Sequence, residues 1–140
     1  MIMNQTKDGM IREGPEEKDR VLIMDDEELM RELFQDMLRH LGYDSESAGD
    51  GKKAIELFVT AKEKGSPFEK VILDLTVPYG MGGEETMKEL LKIDPQIKAI
   101  VSSGFPDDPV MLNYKKYGFQ AALLKPYNFH ELEEMLNQLV

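Results

Sequence analysis

The sequence predicts an α/β fold in which five parallel strands form one sheet covered by helices on both faces. Two observations predict it. From Arg20 onward, short continuous apolar runs alternate with segments of helical periodicity, the beat of repeated strand–helix crossovers. The most apolar runs also end directly in Asp, Ser or Lys, at the sheet edge where folds of this kind place their ligands.

Val21 to Met24 is an apolar run that ends in Asp25-Asp26, and it reads as a strand buried on both faces. Met30, Leu33, Phe34, Met37, Leu38 and Leu41 then recur at helical spacing, and Gly42 is a fitting C-terminal stop. Tyr43 to Ala48 is short and polar, as an edge strand would be. Asp50-Gly51 opens a second helix carrying Ala54, Ile55, Leu57 and Phe58, which Ser66-Pro67 breaks. Val71 to Leu73 runs straight into Asp74, and a Gly-rich loop, Pro78 to Gly83, leads to a third helix with Met87, Leu90 and Leu91. Asp94-Pro95 ends that helix.

Ala99 to Val101 forms the fourth strand and meets Ser102-Ser103-Gly104. Val110 to Tyr117 is a weaker fourth helix that Gly118 closes, and Ala121 to Leu124 is the fifth strand, stopping at Lys125-Pro126. Asn128 and Glu131 stand at capping-box spacing before a last helix with Leu132, Met135, Leu136 and Leu139. Residues 1–18, with two Gly, a Pro and many charges, read as a flexible extension or linker ahead of a single domain over 19–140.

At 140 residues the chain can bury a core without disulfides or a structural metal. The absence of Cys excludes thiolate metal sites and Cys nucleophiles. A formal charge of -10 argues against nucleic acid or an anionic membrane as this chain's partner. No apolar run approaches bilayer length and no basic leader precedes one, which suggests a soluble, cytoplasmic protein.

A parallel sheet would bring Asp25, Asp26, Asp74, Ser103 and Lys125 to one edge. Carboxylates about 4 Å apart repel by roughly 4 kcal/mol per pair at an effective dielectric near 20, so they call for a cation. Oxygen ligands without His or Cys select a hard ion, and Mg²⁺ suits one or two carboxylates, a carbonyl and waters. Lys125 and Ser103 could neutralise the oxygens of a phosphoryl group in transfer, with Asp74 as the carboxylate nucleophile. Each piece alone has an ordinary reading: Asp25-Asp26 as a helix cap, Ser103-Gly104 and Lys125-Pro126 as turns. Their joint placement favours a site. His40 and His130 lie in helical patterns and read as surface residues, and the ten Met read as core fillers.

Met24-Asp25-Asp26-Glu27, Leu73-Asp74-Leu75-Thr76-Val77-Pro78, Ser103-Gly104 and Leu124-Lys125-Pro126, in that order, resemble the receiver domain of two-component response regulators over about residues 19–140. The resemblance implies a doubly wound, flavodoxin-like sheet of strand order 2-1-3-4-5. It implies that Asp74 accepts a phosphoryl group from a histidine kinase or a histidine phosphotransfer protein. Asp26 would bind Mg²⁺ directly, Asp25 largely through water, and Thr76 through its backbone carbonyl. Ser103 would be the switch hydroxyl, Lys125 the lysine that pairs with the phosphoryl group, and the Lys125-Pro126 peptide would be cis.

Two positions depart from the family pattern. Ala122 stands where an aromatic switch residue is common, and the Gly-rich loop is one residue longer than usual. That loop and the Val101 to Phe105 segment are similar to receivers of hybrid sensor kinases. Thr76 and Phe105 occupy positions that tune phosphoryl lifetime in the family, where a bulky Phe105 would hinder an attacking water. The resemblance leaves open a homodimer through the fourth and fifth helices. The sequence stops just after the fifth helix, so no output domain is expected in it. The protein would then be a switch that catalyses its own phosphoryl transfer, not a stand-alone enzyme. One alternative is a receiver-fold binding module that takes no phosphate, against which the complete acidic pocket argues. Another is a Mg²⁺-dependent phosphohydrolase of the haloacid dehalogenase type, which would need a second Asp where Thr76 stands.

Overall fold

The computed structural model describes residues 19–139. The expected extension over 1–18 lies outside them. Strand β1 (Arg20–Met24), β2 (Asp44–Ala48), β3 (Lys70–Asp74), β4 (Lys98–Ser103) and β5 (Ala121–Leu124) form one sheet, all pairs parallel, in the order β2-β1-β3-β4-β5. The helices are α1 (Glu28–His40), α2 (Gly51–Glu63), α3 (Gly83–Ile93), α4 (Pro109–Leu112) and α5 (Phe129–Gln138). This is the order the resemblance implied.

The two-residue period of the central strands divides the core between two layers. Val21, Ile23, Ile72, Ile100 and Leu123 face one side and pack with Phe34 and Leu38 of α1 and with Leu132 and Leu136 of α5. Leu22, Met24, Val71, Leu73, Ala99 and Val101 face the other and pack with Phe58, Met87, Leu90, Val110 and Phe119. Because both faces are covered, β1, β3 and β4 are apolar at consecutive positions, which is why they stood out in the sequence.

Local punctuation sets where each strand emerges. Gly42, at φ 92, ends α1 while the Tyr43 N–H reaches back to the Leu38 carbonyl, the hydrogen bond of a Schellman stop. Asp50 caps α2 by accepting from the Lys53 N–H at 2.9 Å. The reciprocal box of Asn128 and Glu131 is present at the start of α5, and the Lys125-Pro126 peptide is cis.

Two expectations are corrected. The second strand begins at Asp44, because Tyr43 is taken up in the helix stop. The helix expected over Val110 to Tyr117 is two pieces, α4 and a 3-10 turn over Tyr114–Tyr117. Asn113 divides them: its backbone N–H and its side-chain Nδ2 both donate to the Pro109 carbonyl, at 3.0 and 3.1 Å, and its φ of -126° and ψ of 41° leave the helical region. Among the described residues, no helix is long and apolar enough to cross a membrane.

Candidate functional site

The carboxyl ends of β1, β3, β4 and β5 converge, β1 delivering two polar groups and each of the others one. Asp25 follows β1 and remains tied to the sheet, its N–H donating to the Ala48 carbonyl at 3.0 Å. Its side chain is buried; Oδ1 accepts from the Glu27 N–H at 2.9 Å, and Oδ2 meets Lys125 Nζ at 2.8 Å. Asp26, the next residue, is exposed. Asp74 is the last residue of β3, buried between β1 and β4 and in register with Ser102. Its carboxylate accepts a hydrogen bond from the Thr76 N–H and lies 3.2 Å from Lys125 Nζ.

Carboxylate oxygens of Asp25, Asp26 and Asp74 all lie within 4.8 Å of one another. Lys125 is held over them by its backbone, whose N–H donates to the Ser103 carbonyl at 2.8 Å. Its aliphatic stem borders an apolar groove of about 390 Å³ with Leu33, Phe34, Pro126 and Tyr127 as neighbours, where Phe34 and Tyr127 stack at 4.8 Å.

Burial pushes the Asp74 carboxyl up to about 6; the Lys125 ammonium opposes that rise and the Asp25 carboxylate adds to it. Burial disfavours the charged form of Lys125, but its hydrogen bond to Asp25 and the charges of Asp74 and Asp25 outweigh burial and hold it above the ordinary lysine value. One ammonium thus faces three carboxyl groups, an excess of negative charge that a hard divalent cation would offset. Asp25, Asp26 and Asp74 offer oxygen donors alone, the chemistry such an ion prefers.

Ser103 closes the edge from β4. It is buried, and its Oγ accepts from the Phe105 N–H at 3.0 Å. Phe105 itself is 67% exposed. Thr76 is exposed, and Ala122 is half-buried on β5 in register with Val101. Asp25, Asp26, Asp74 and Lys125 are therefore brought together as the sequence suggested, with Ser103 at the end of β4 and Thr76 and Phe105 on the loops that frame them. His40, the last residue of α1, and His130, in the first turn of α5, are both exposed.

Sequence reasoning missed two supporting groups. Arg31, in the first turns of α1, donates from Nη1 to the Asp25 carbonyl at 2.8 Å and so fixes the end of β1. A contact to a backbone carbonyl asks nothing of the partner side chain, so no pattern announces it. The Gly-rich loop is fastened to α2, with the Gly51 N–H donating to the Met81 carbonyl at 2.9 Å. A Cβ on Gly83 would come within 2.8 Å of the Asp74 carbonyl oxygen, so that glycine lets α3 begin against the site.

A family model described as "Response regulator receiver domain" matches residues 21–137. The chemotaxis protein CheY of Thermotoga maritima is 32% identical over 121 residues, covering 86% of this chain and 96% of that protein. The sensor kinase CckA of Brucella abortus is 30% identical over 123 residues, 86% of this chain but 12% of the kinase. Among solved structures, the response regulator TrrA of Thermotoga maritima, determined in complex with Mg(2+)-BeF, is similar at a TM-score of 0.72 and 27% identity, covering 88% of this chain and 100% of that one.

Proposed function

The chain belongs to the response regulator receiver domain family, a signalling module and not a classical enzyme, and from that premise we propose that Asp74 is its phosphoacceptor. The observation that carries this reading is the approach of Asp25, Asp26 and Asp74 within 4.8 Å, with Lys125 between Asp25 and Asp74. In the proposed reaction an Asp74 carboxylate oxygen attacks the phosphorus of a phosphohistidine on a kinase or histidine phosphotransfer protein. A P–O bond forms, the P–N bond breaks, and the imidazole leaves with the electron pair and takes up a proton.

With a pKa of about 6, Asp74 is mostly ionised at neutral pH and so available as the nucleophile. Lys125 offers a positive charge to the incoming phosphoryl oxygens and Ser103 a hydroxyl donor. Mg²⁺, held by Asp26, Asp74 and the Thr76 carbonyl with Asp25 beside them, would supply charge neutralisation of the phosphoryl oxygens. Water attack on the acyl phosphate would reset the switch, and Phe105, at the rim, would slow it. The acidic charge of -10 supports a protein partner over nucleic acid or a lipid surface. A homodimer through α4 and α5 would be one form of output.

The test is incubation of the full chain with Mg²⁺ and acetyl phosphate followed by intact mass measurement. The wild type should gain the mass of one phosphoryl group and Asp74→Asn none. An equal gain in Asp74→Asn would overturn the assignment.

A further inference from the structure

The three carboxylates that approach one another at the sheet edge are not held alike. Asp25 accepts from the Glu27 N–H at 2.9 Å and from Lys125 Nζ at 2.8 Å. Asp74 accepts from the Thr76 N–H and lies 3.2 Å from the same lysine nitrogen. The exposed Asp26 carboxylate has no hydrogen-bond or ion-pair partner among the described residues, yet one of its oxygens lies within 4.8 Å of oxygens of the other two. What aims it is the backbone that carries it.

That backbone is clamped just before Asp26. The Asp25 N–H donates to the Ala48 carbonyl at 3.0 Å, and the Asp25 carbonyl accepts from Arg31 Nη1 at 2.8 Å. A peptide unit is planar, so a bond to the Asp25 carbonyl oxygen fixes a plane that also contains the Asp26 nitrogen and Cα. Arg31 is itself anchored. Its N–H donates to the Glu27 carbonyl at 3.0 Å in the first turn of α1, a helix that Phe34 and Leu38 fasten to the sheet. Its half-buried guanidinium lies beside Gly49, where an added Cβ would come 3.4 Å from Nη1. Among the described residues Arg31 pairs with no carboxylate, and in a chain with 27 Asp and Glu a shortage of acids does not explain its bond to a backbone oxygen.

We propose that Arg31 is a positioning residue for the cation site: by holding the Asp25 carbonyl it sets the peptide plane between Asp25 and Asp26, and so the place of the Asp26 carboxylate beside Asp25 and Asp74. This rests on the reading of Asp26 and Asp74 as Mg²⁺ ligands. Without the Arg31 bond, the peptide unit can turn about its flanking single bonds, and the Asp26 side chain turns with it. Mg²⁺ demands near-octahedral geometry, so a carboxylate that swings in this way binds it more weakly. Charge alone predicts the opposite sign. Removing a cation from a chain of formal charge -10 should tighten the binding of a cation or leave it unchanged.

The experiment titrates the full chain with Mg²⁺ and follows backbone amide NMR shifts, which give the affinity and report the fold in the same spectra. The proteins are the wild type, Arg31→Met, Arg31→Lys, Asp26→Asn and the double variant of Arg31→Met with Asp26→Asn. Arg31→Met keeps an apolar stem without the donor and should bind Mg²⁺ about tenfold more weakly, the loss typical when a group that orients a metal ligand is removed. Arg31→Lys, whose ammonium can still donate to a single oxygen, should recover most of that loss. In the Asp26→Asn background the same Arg31→Met change should cost less than about twofold, because Arg31 acts through Asp26. Loss of packing alone would unfold part of the sample without changing the affinity of the folded remainder. An Arg31→Met affinity equal to or tighter than that of the wild type would overturn the proposal, and so would an equal loss in both backgrounds. If the wild type and Asp26→Asn bind Mg²⁺ alike, or neither binds it, the reading of Asp26 as a ligand falls and this proposal with it.

Discussion

The ammonium of Lys125 reaches back 100 residues to form a 2.8 Å ion pair with the buried carboxylate of Asp25, and the same nitrogen lies 3.2 Å from Asp74. The sheet order makes this possible, because β1 and β3 sit side by side at the centre with β5 one strand beyond β4. Lys125→Met would leave two buried carboxylates without their cation. We expect a loss of about 1–3 kcal/mol in metal-free urea unfolding, part of it recovered on adding Mg²⁺, which can stand in for the lost charge. Unchanged unfolding without metal would show that the pair contributes nothing.

Asp74 gives a pH dependence whose sign is fixed by its environment. Its carboxyl sits at about 6 in the fold, above its ordinary value near 4, so the native state holds a proton that the unfolded chain has released between those pH values. Metal-free stability should therefore fall as pH rises through that window, by on the order of 3 kcal/mol from this group, and stay low above it. Asp74→Asn carries no such charge. It should be more stable than the wild type at pH 7.5 without metal, and the difference should vanish near pH 4, as read by urea midpoints. A difference independent of pH would contradict the assignment of the effect to ionised Asp74.

Gly83→Ala sets two effects against each other. Alanine gains up to about 1 kcal/mol as a helix former. Its Cβ would press on the Asp74 carbonyl oxygen at 2.8 Å, a backbone atom that cannot swing aside, at a cost of about 1–3 kcal/mol. The net change should be destabilising, and because the contact is made on Asp74, phosphorylation by acetyl phosphate should slow as well. Thermal unfolding together with the phosphorylation rate checks both.

Tyr127→Phe should cost nothing. Among the described residues the buried Tyr127 hydroxyl has no hydrogen-bond partner, while the ring is held by its stack on Phe34. Removing an unsatisfied buried hydroxyl and keeping the ring should leave stability equal or raise it by about 1 kcal/mol. A clear loss in denaturant unfolding would reveal a partner for the hydroxyl in solution.

The strands were legible because both faces of the sheet are covered, so Val21 to Met24 and Val71 to Leu73 could be continuously apolar. The stops at Gly42 and Gly118 and the box at Asn128 were legible because left-handed backbone and capping ask for particular residues. The polar edge was legible because a buried Asp74 has no use in an apolar core. The break in the fourth helix was not, since Asn113 ends it through a local competition for one carbonyl that periodicity does not register. Leu33 followed the apolar period of α1 yet is 44% exposed at the border of the groove beside Lys125. Spacing gives the side of a helix but not how far its neighbours extend. The buried Lys70, paired with Asp19 at 2.7 Å at the other end of the sheet, escaped notice because its partner lies 51 residues away.

The most direct measurement is to trap the acyl phosphate with borohydride after incubation with Mg²⁺ and acetyl phosphate, and to sequence the peptide that contains the residue converted to homoserine. The account predicts homoserine at position 74 and nowhere else. Conversion at Asp25 or Asp26 in place of Asp74, or none at all, would contradict it.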